Sequence, residues 1–376
     1  MKNRFVPFLL LLLLFASAGA QAQNVEFFGD ARFGLVAHDT SLRNADREED
    51  LRGVLRLRGG FEWTPNEVLS ARVRLAGRYL DEGNSFRLRW QQELPGGRNL
   101  PAGYTTFDEA HLRARYGNWE HRLGRFQYSA LLAGVPAKSM SRTNSKNSFV
   151  SWTDGLHSRY HLDDGWQVNA IVHRNTRQGP TLVHRSPLDF TDSESRATYY
   201  LSMDREDDAG TIVQRSFDLT FIPGSLRYIH PSVADDTKDY LGFTGRVAVQ
   251  QPLAEGRRLV LGVEAGYAPT TPRRAAVNLP GDGDAGGTTW QLSANLMEIA
   301  PGHSIGLVYG ETDAGWLLST DFTNNQALTE LRYQWRVAPD QTFHFRIRQR
   351  DDLKRQLDAQ RRQSGTDLYI RYTMTF

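Results

Sequence analysis

Leu51-Arg52-Gly53-Val54-Leu55-Arg56-Leu57-Arg58-Gly59-Gly60-Phe61-Glu62-Trp63, the break Thr64-Pro65-Asn66, then Leu69-Ser70-Ala71-Arg72-Val73-Arg74-Leu75-Ala76-Gly77-Arg78-Tyr79: this stretch decides the fold. Odd-numbered positions are apolar or glycine, while the even ones carry nearly every arginine. Period two over two long runs joined by a tight turn reads as a β-hairpin. A helix of the same residues would spread the arginines over every face.

The alternation runs on through Trp166-x-Val168-x-Ala170, Leu259 to Tyr267, Trp290 to Leu296, and Leu331 to Val337 facing Phe343 to Ile347. It ends with Leu368, Ile370, Tyr372, Met374 and Phe376 on one face. Short connections contain Thr64-Pro65-Asn66, Gly117-Asn118, Asp163-Asp164-Gly165, Pro223-Gly224, Ala254-Glu255-Gly256, Ala300-Pro301-Gly302 and Ala338-Pro339-Asp340. Long ones fall near 39–49, 81–104, 129–148, 176–210, 232–238, 270–287, 314–324 and 351–365. Seven turns and eight loops predict an all-β, antiparallel transmembrane barrel of about sixteen strands, closing 25–38 against 366–376. The stretch 196–204 also alternates, but a strand there would put a tight turn on the wrong rim. It is therefore assigned to a hairpin within a loop.

Strands of about ten residues, tilted near 45°, span roughly 23 Å, close to the apolar band of such barrels. Sixteen of them leave an aqueous interior. A mean hydropathy of −0.51 does not argue against a membrane, because only every second strand residue meets lipid. A soluble β-sandwich or β-helix would share the alternation. It would have no need of the long/short loop rhythm, or of Trp63, Tyr79, Tyr116, Trp119, Trp166, Tyr267 and Trp290 at strand ends.

The N-terminus carries Lys2 and Arg4, an apolar run from Phe5 to Ala16, and small-x-small sites at Ala18-Gly19-Ala20 and Ala20-Gln21-Ala22. These features predict a cleaved signal peptide over 1–22 and a barrel domain over 23–376. With no cysteine, disulfides, thiolate metal sites and lipoprotein attachment are excluded. Five of the 45 basic residues are lysine and the rest arginine. A site that recognises anions favours that bias, since guanidinium keeps its charge and offers a planar fork of donors.

The last nine residues, Leu368-Tyr369-Ile370-Arg371-Tyr372-Thr373-Met374-Thr375-Phe376, resemble the assembly signal of outer-membrane barrels. Phe107-Asp108-Glu109-Ala110-His111-Leu112 with Leu123-Gly124-Arg125-Phe126 resembles the strands before the constriction loop of Gram-negative porins, including phosphate-selective and alginate-export-like groups. The resemblance implies an outer-membrane location reached through the barrel-assembly machinery, with Phe376 as the signal. It also implies contact with lipopolysaccharide, a homotrimer, passive diffusion of small hydrophilic or anionic solutes, and neither cofactor nor nucleic acid.

Strand parity turns Arg52, Arg56, Arg58, Arg72, Arg74, Arg78, Arg113, Arg115 and Arg122 inward, against Glu62, Glu109 and Glu120. Closure adds Arg332, Arg336, Arg346, Arg348 and Arg371, with Glu330 nearby. The expectation is a basic wall selecting anions. Alternatives are a generic porin wall or arginines binding lipopolysaccharide outside. Segment 129–148 is expected to fold inward as a constriction loop carrying Lys138, Arg142 and Lys146, with no acid of its own. Arg125 and Arg215 fall on lipid-facing parity and are placed near the extracellular end, snorkelling or shifted by a bulge.

Gly281-Asp282-Gly283-Asp284 lacks the ligand spacing and closing Glu of a calcium loop. The acidic runs 46–50 and Glu206-Asp207-Asp208 read as solvated extracellular loop charge, with divalent-cation bridging to lipopolysaccharide as the other reading. A rival function is an outer-membrane hydrolase using His157 or His161 with Asp154 and Ser158. Ser158 has the wrong parity, however, and no nucleophile motif is present. A structural or adhesive barrel would show much longer loops.

Overall fold

The computed structural model describes residues 24–81, 87–88, 100–175, 196–227 and 237–376, so the expected signal peptide lies outside the described residues. Sixteen strands form the barrel. They are β1 (Val25–Ser41), β2 (Arg47–Trp63), β3 (Leu69–Leu80), β4 (Tyr104–Tyr116), β5 (Trp119–Phe126), β6 (Thr153–His161), β7 (Trp166–Asn175) and β8 (Arg196–Glu206). The second half comprises β9 (Ile212–Arg227), β10 (Thr237–Pro252), β11 (Arg258–Tyr267), β12 (Thr288–Ala300), β13 (His303–Thr312), β14 (Gln326–Ala338), β15 (Gln341–Asp352) and β16 (Ser364–Thr375). Each pairs antiparallel with its neighbour in sequence. A two-residue segment, Arg87–Leu88, adds to β4 in parallel outside the barrel order.

Closure joins β1 to β16, with Asp30 opposite Thr375 and Ser41 opposite Ser364. Gly29 and Phe376 exchange backbone hydrogen bonds of 2.7 and 3.1 Å at the edge of this seam. The terminal ring lies over Gly29, where a Cβ would stand only 2.5 Å from it. The outward face carries the large exposed hydrophobics predicted from parity, among them Leu51, Phe61, Trp63, Leu112, Leu123, Leu261 and Leu368. Aromatic pairs mark strand ends, with Trp119 against Tyr160 at 4.7 Å and Trp290 against Tyr309 at 5.4 Å.

The strand number matches expectation through two errors that cancel. Residues 196–206 are not a loop hairpin but β8, paired along its length with β7 and β9. Pro223-Gly224 is not a turn but a bulge in β9, where the register to β10 slips between Ile222 and Leu226. The tight turn lies instead at 207–211, where Asp207 Oδ1 accepts from the N–H groups of Ala209 and Gly210 at 3.1 and 2.9 Å. The acidic run Glu206-Asp207-Asp208 therefore belongs to the rim of short turns, not to a long loop.

Among the described residues, two of the long connections fold into the barrel. Residues 127–152 cross the interior, as expected of 129–148. Residues 313–325 also turn inward, burying Trp316, Leu317 and Leu318 against Ile222, Leu226 and Tyr240. Phe322 and Met140 share a second buried cluster, so the two segments pack on each other. The apolar core thus lies inside the barrel, beneath these loops.

Candidate pore lumen

The strands flanking the seam, β14 to β16 and β1 to β5, form one interior wall. Arg56 is fully buried, donating from Nη2 to Asp30 Oδ1 at 2.6 Å and from Nη1 to the Ser145 carbonyl at 2.9 Å. Arg74 makes a two-pronged contact with Asp108 at 2.9 and 2.8 Å, and Arg58 reaches the same carboxylate at 3.1 Å. Asp108 faces inward because β4 bulges there: Arg74 pairs with Glu109 and Leu75 with Phe107, leaving Asp108 between them. Arg72 bridges Glu62 and Glu109 at 2.9 and 2.8 Å, and its guanidinium lies 3.6 Å from the centre of the Phe28 ring.

Nearer the turn rim, Arg113 pairs with Glu62, while Arg115 and Arg122 share Glu120 at 2.9 and 2.6 Å. Across the seam Glu330 holds Arg332 at 2.6 Å, and Asp367 holds Arg346 and Arg348. Arg52 pairs with Asp50, and Arg336 stands 3.7 Å from Glu298.

The expected wall is thus assembled, but it is not a bare basic ladder. Asp30, Asp108 and Asp367 were missing from the sequence reading, and they neutralise part of it. Parity alone would have found Asp30 and Asp367. Asp108 could not be found that way, because the bulge reverses it. Arg32 and Arg350 join the wall as additional inward arginines. Among the described residues, Arg78, Arg350 and Arg371 have no carboxylate within ion-pair distance. Arg371 instead meets His344 Nδ1 at 3.0 Å and Asn147 Oδ1 at 3.2 Å, and Arg350 donates to the Asp321 carbonyl at 3.1 Å. Buried guanidinium groups without a full set of acceptors are costly, and several nitrogens on this wall, including Arg58 Nη2 and Arg371 Nε, have no hydrogen-bond partner among the described residues.

The loop cations occupy a different role from the expected one. Lys138 is buried and pairs with Glu330 at 2.7 Å, and Lys146 meets Asp321 at 3.0 Å. Arg142, also buried, donates to Thr153 Oγ1 at 2.5 Å and lies near the Tyr128 and Tyr200 rings. They fasten the loop to the barrel instead of standing free in its opening. The loop has no acid of its own, so wall and neighbouring loop supply the counter-charges. Two ammonium groups hold the Asp321 carboxyl at about 2 against the opposing effect of burial, below its ordinary 3.8.

Strands β9 to β13 form the facing wall, which is less cationic. Glu264 accepts from the Met140 N–H at 3.0 Å, Asn295 from Val135 N–H at 2.9 Å, and Gln214 from Ala133 N–H at 2.9 Å. Arg246 lies between Asp218 and Glu264. Beside the loop, a cavity of about 320 Å³ is lined by Tyr128, Arg159, Asn169, Asp204 and Arg246 among others.

Both arginines of unexpected parity keep the outward register of their strands, but Arg125 is only 4% exposed and does not lie open to the outside. Arg125 is buried against Asp154, with two contacts of 2.9 and 3.0 Å, beneath the Trp152 ring. Arg215 lies three residues into β9, so it sits toward the turn rim, opposite to where the sequence placed it. For the hydrolase reading, His157 hydrogen-bonds Asn169 at 3.0 Å and Ser158 faces outward beside His121. His157 and Ser158 lie on opposite faces, as strand parity indicates.

No protein-family model and no characterised sequence matches the chain. Solved structures do. OprB of Pseudomonas putida superposes with a TM-score of 0.65 at 10% identity, covering 94% of each chain. The fold is that of the porins. OccAB1 of Acinetobacter baumannii gives 0.55 at 13% identity, over 94% of this chain and 96% of its own. An anion-selective porin from Comamonas acidovorans gives 0.52 at 12% identity, over 94% and 99%. These neighbours are porins of Gram-negative outer membranes, and they share with this chain a full-length barrel at very low identity.

Proposed function

We propose that the chain is an outer-membrane channel through which small hydrophilic solutes diffuse passively, with anions favoured. The observation carrying this reading is the seam wall, where among the described residues inward arginines outnumber carboxylates and Arg78, Arg350 and Arg371 have none within ion-pair distance. Cations fixed along a narrow interior favour anions, and low-dielectric walls strengthen the effect. Lys138, Arg142 and Lys146 shape the opening indirectly, by anchoring the constriction loop. The same reading places the protein in a Gram-negative outer membrane after removal of residues 1–22, assembled through its terminal Phe376 and forming trimers. The 107–112 and 123–126 motifs draw it toward phosphate-selective and alginate-export-like porins. The channel acts without chemistry on its solutes. Liposome swelling tests the channel: purified protein should admit small sugars and amino acids at rates that fall with solute size. Impermeable liposomes containing folded protein would refute it.

A further inference from the structure

Arg205 in β8 and Arg215 in β9 are register partners on the outward face of the barrel. The parity is fixed on both sides. Asp204 and Ser216 point inward and bond each other at 2.6 Å, while Met203 and Phe217 are exposed. Directly opposed side chains on antiparallel strands have Cβ atoms about 5 Å apart, and like charges so placed destabilise the pair. Two guanidinium groups therefore stand together on a surface otherwise made of Leu201, Met203, Phe217 and Val247.

Other outward strand arginines with described side chains have a carboxylate beside them. Arg47 contacts Asp39 at 2.7 Å, and Arg125 contacts Asp154. Arg205 and Arg215 have none among the described residues, and Arg215 Nε is shielded from solvent without an acceptor. A second copy of the barrel supplies no obvious counter-charge either, since the turn-rim half of the described strands carries no outward carboxylate. The depth is that of an interface. Arg205 lies one residue from the end of β8 and Arg215 three from the start of β9. Trp166 pairs with Arg205 on the other side, as an interfacial aromatic would. Arginine at this depth costs little and reaches headgroups, and two forks suit a phosphate.

We propose that Arg205 and Arg215 form an outer-surface site for the phosphodiester of an anionic glycerophospholipid, in the leaflet at the turn rim. The inference rests on the chain being a membrane barrel. It is independent of which solutes cross the lumen.

Full-length protein purified in detergent, mixed with phosphatidylglycerol and examined by native mass spectrometry, tests the site. Wild type should retain the lipid at least about fivefold better than Arg205→Ser/Arg215→Ser, each arginine near an anionic surface contributing on that scale. Millimolar inorganic phosphate should not displace it. Heat-modifiable gel mobility and unchanged single-channel conductance establish that the variant is folded. Should the double variant fail to fold, the two single variants decide, each expected to retain less lipid than wild type. Equal retention by wild type and variants overturns the site. Displacement by inorganic phosphate overturns its lipid identity. A wild type that neither shifts on heating nor conducts overturns the membrane-barrel reading instead.

Discussion

On the seam wall, guanidinium groups reach for loop carbonyls: Arg56 donates to Ser145 and Arg32 to Asn147, at 2.9 and 2.7 Å. On the facing wall, carboxylate and amide oxygens receive loop N–H groups, Glu264 from Met140 and Asn295 from Val135. The 127–152 loop lies between the two. The seam wall serves its carbonyls with guanidinium groups. The facing wall serves its N–H groups and also donates from Gln214 to the Leu131 carbonyl at 2.7 Å and from Gln291 to that of Lys138 at 3.2 Å. Buried backbone must find both donors and acceptors, and here they come from surfaces of unlike charge. The difference is what remains afterwards. The facing wall balances Arg246 against Asp218 and Glu264. The seam wall still has arginines to spare, and that residue of charge is what the proposed function rests on.

Deleting 129–148 should abolish the comparison altogether and have the largest effect. Single-channel conductance should rise, because the loop occupies the interior between the walls. Unchanged conductance would mean the narrowest point is set by 313–325 alone. Next comes Glu330→Gln. Glu330 is fully buried and holds Lys138 at 2.7 Å and Arg332 at 2.6 Å. Removing one partner of such a network costs about 3–5 kcal/mol, read as a lower urea midpoint of the refolded barrel. Stability within experimental error of wild type would show that water or anions already screen the site.

Arg78→Gln and Arg371→Gln sharpen the comparison with less damage, because neither breaks a carboxylate pair among the described residues. Both should reduce anion preference in bilayer recordings while leaving heat-modifiable mobility unchanged. Arg122→Gln, which removes one of two partners of Glu120, should have a smaller effect on selectivity. The smallest effect is that of pH. Asp321 is held at about 2 where its ordinary value is 3.8, so on the acid side its share of the Lys146 contact is complete down to the ordinary value. It is lost only as pH falls through the depressed one. Burial pushes the Lys146 ammonium down to about 7. Loop noise in current traces should therefore be lowest between about pH 4 and 6, growing in stronger acid as Asp321 gains a proton and above neutral as Lys146 loses one. Asp321→Asn should show that noise within that window.

The barrel was legible because lipid and water impose period two on every strand, and Leu51 to Tyr79 displays it without interruption. Parity failed where the backbone departs from it. Pro223-Gly224 has the composition of a turn but sits in a β9 bulge, and a bulge at Asp108 turned a carboxylate inward unnoticed. The seam arginines could be read from sequence, but their counter-charges only partly. Lys138 and Lys146 looked free because Glu330 and Asp321 stand far away along the chain. The 313–325 loop did carry a signal in Trp316, Leu317, Leu318 and Phe322, four large apolar residues in a segment read only as a long connection.

The zero-current potential of wild-type channels across a potassium chloride gradient at low salt tests the central claim most directly. Fixed charges screen over about 10 Å at 0.1 M and 3 Å at 1 M. The seam wall predicts a potential of the sign given by chloride exceeding potassium permeability, shrinking as both baths are raised toward molar salt. A potential of the opposite sign at low salt would contradict it, showing that Asp30, Asp108, Glu330, Asp367 and the carboxylates of the facing wall outweigh the arginines.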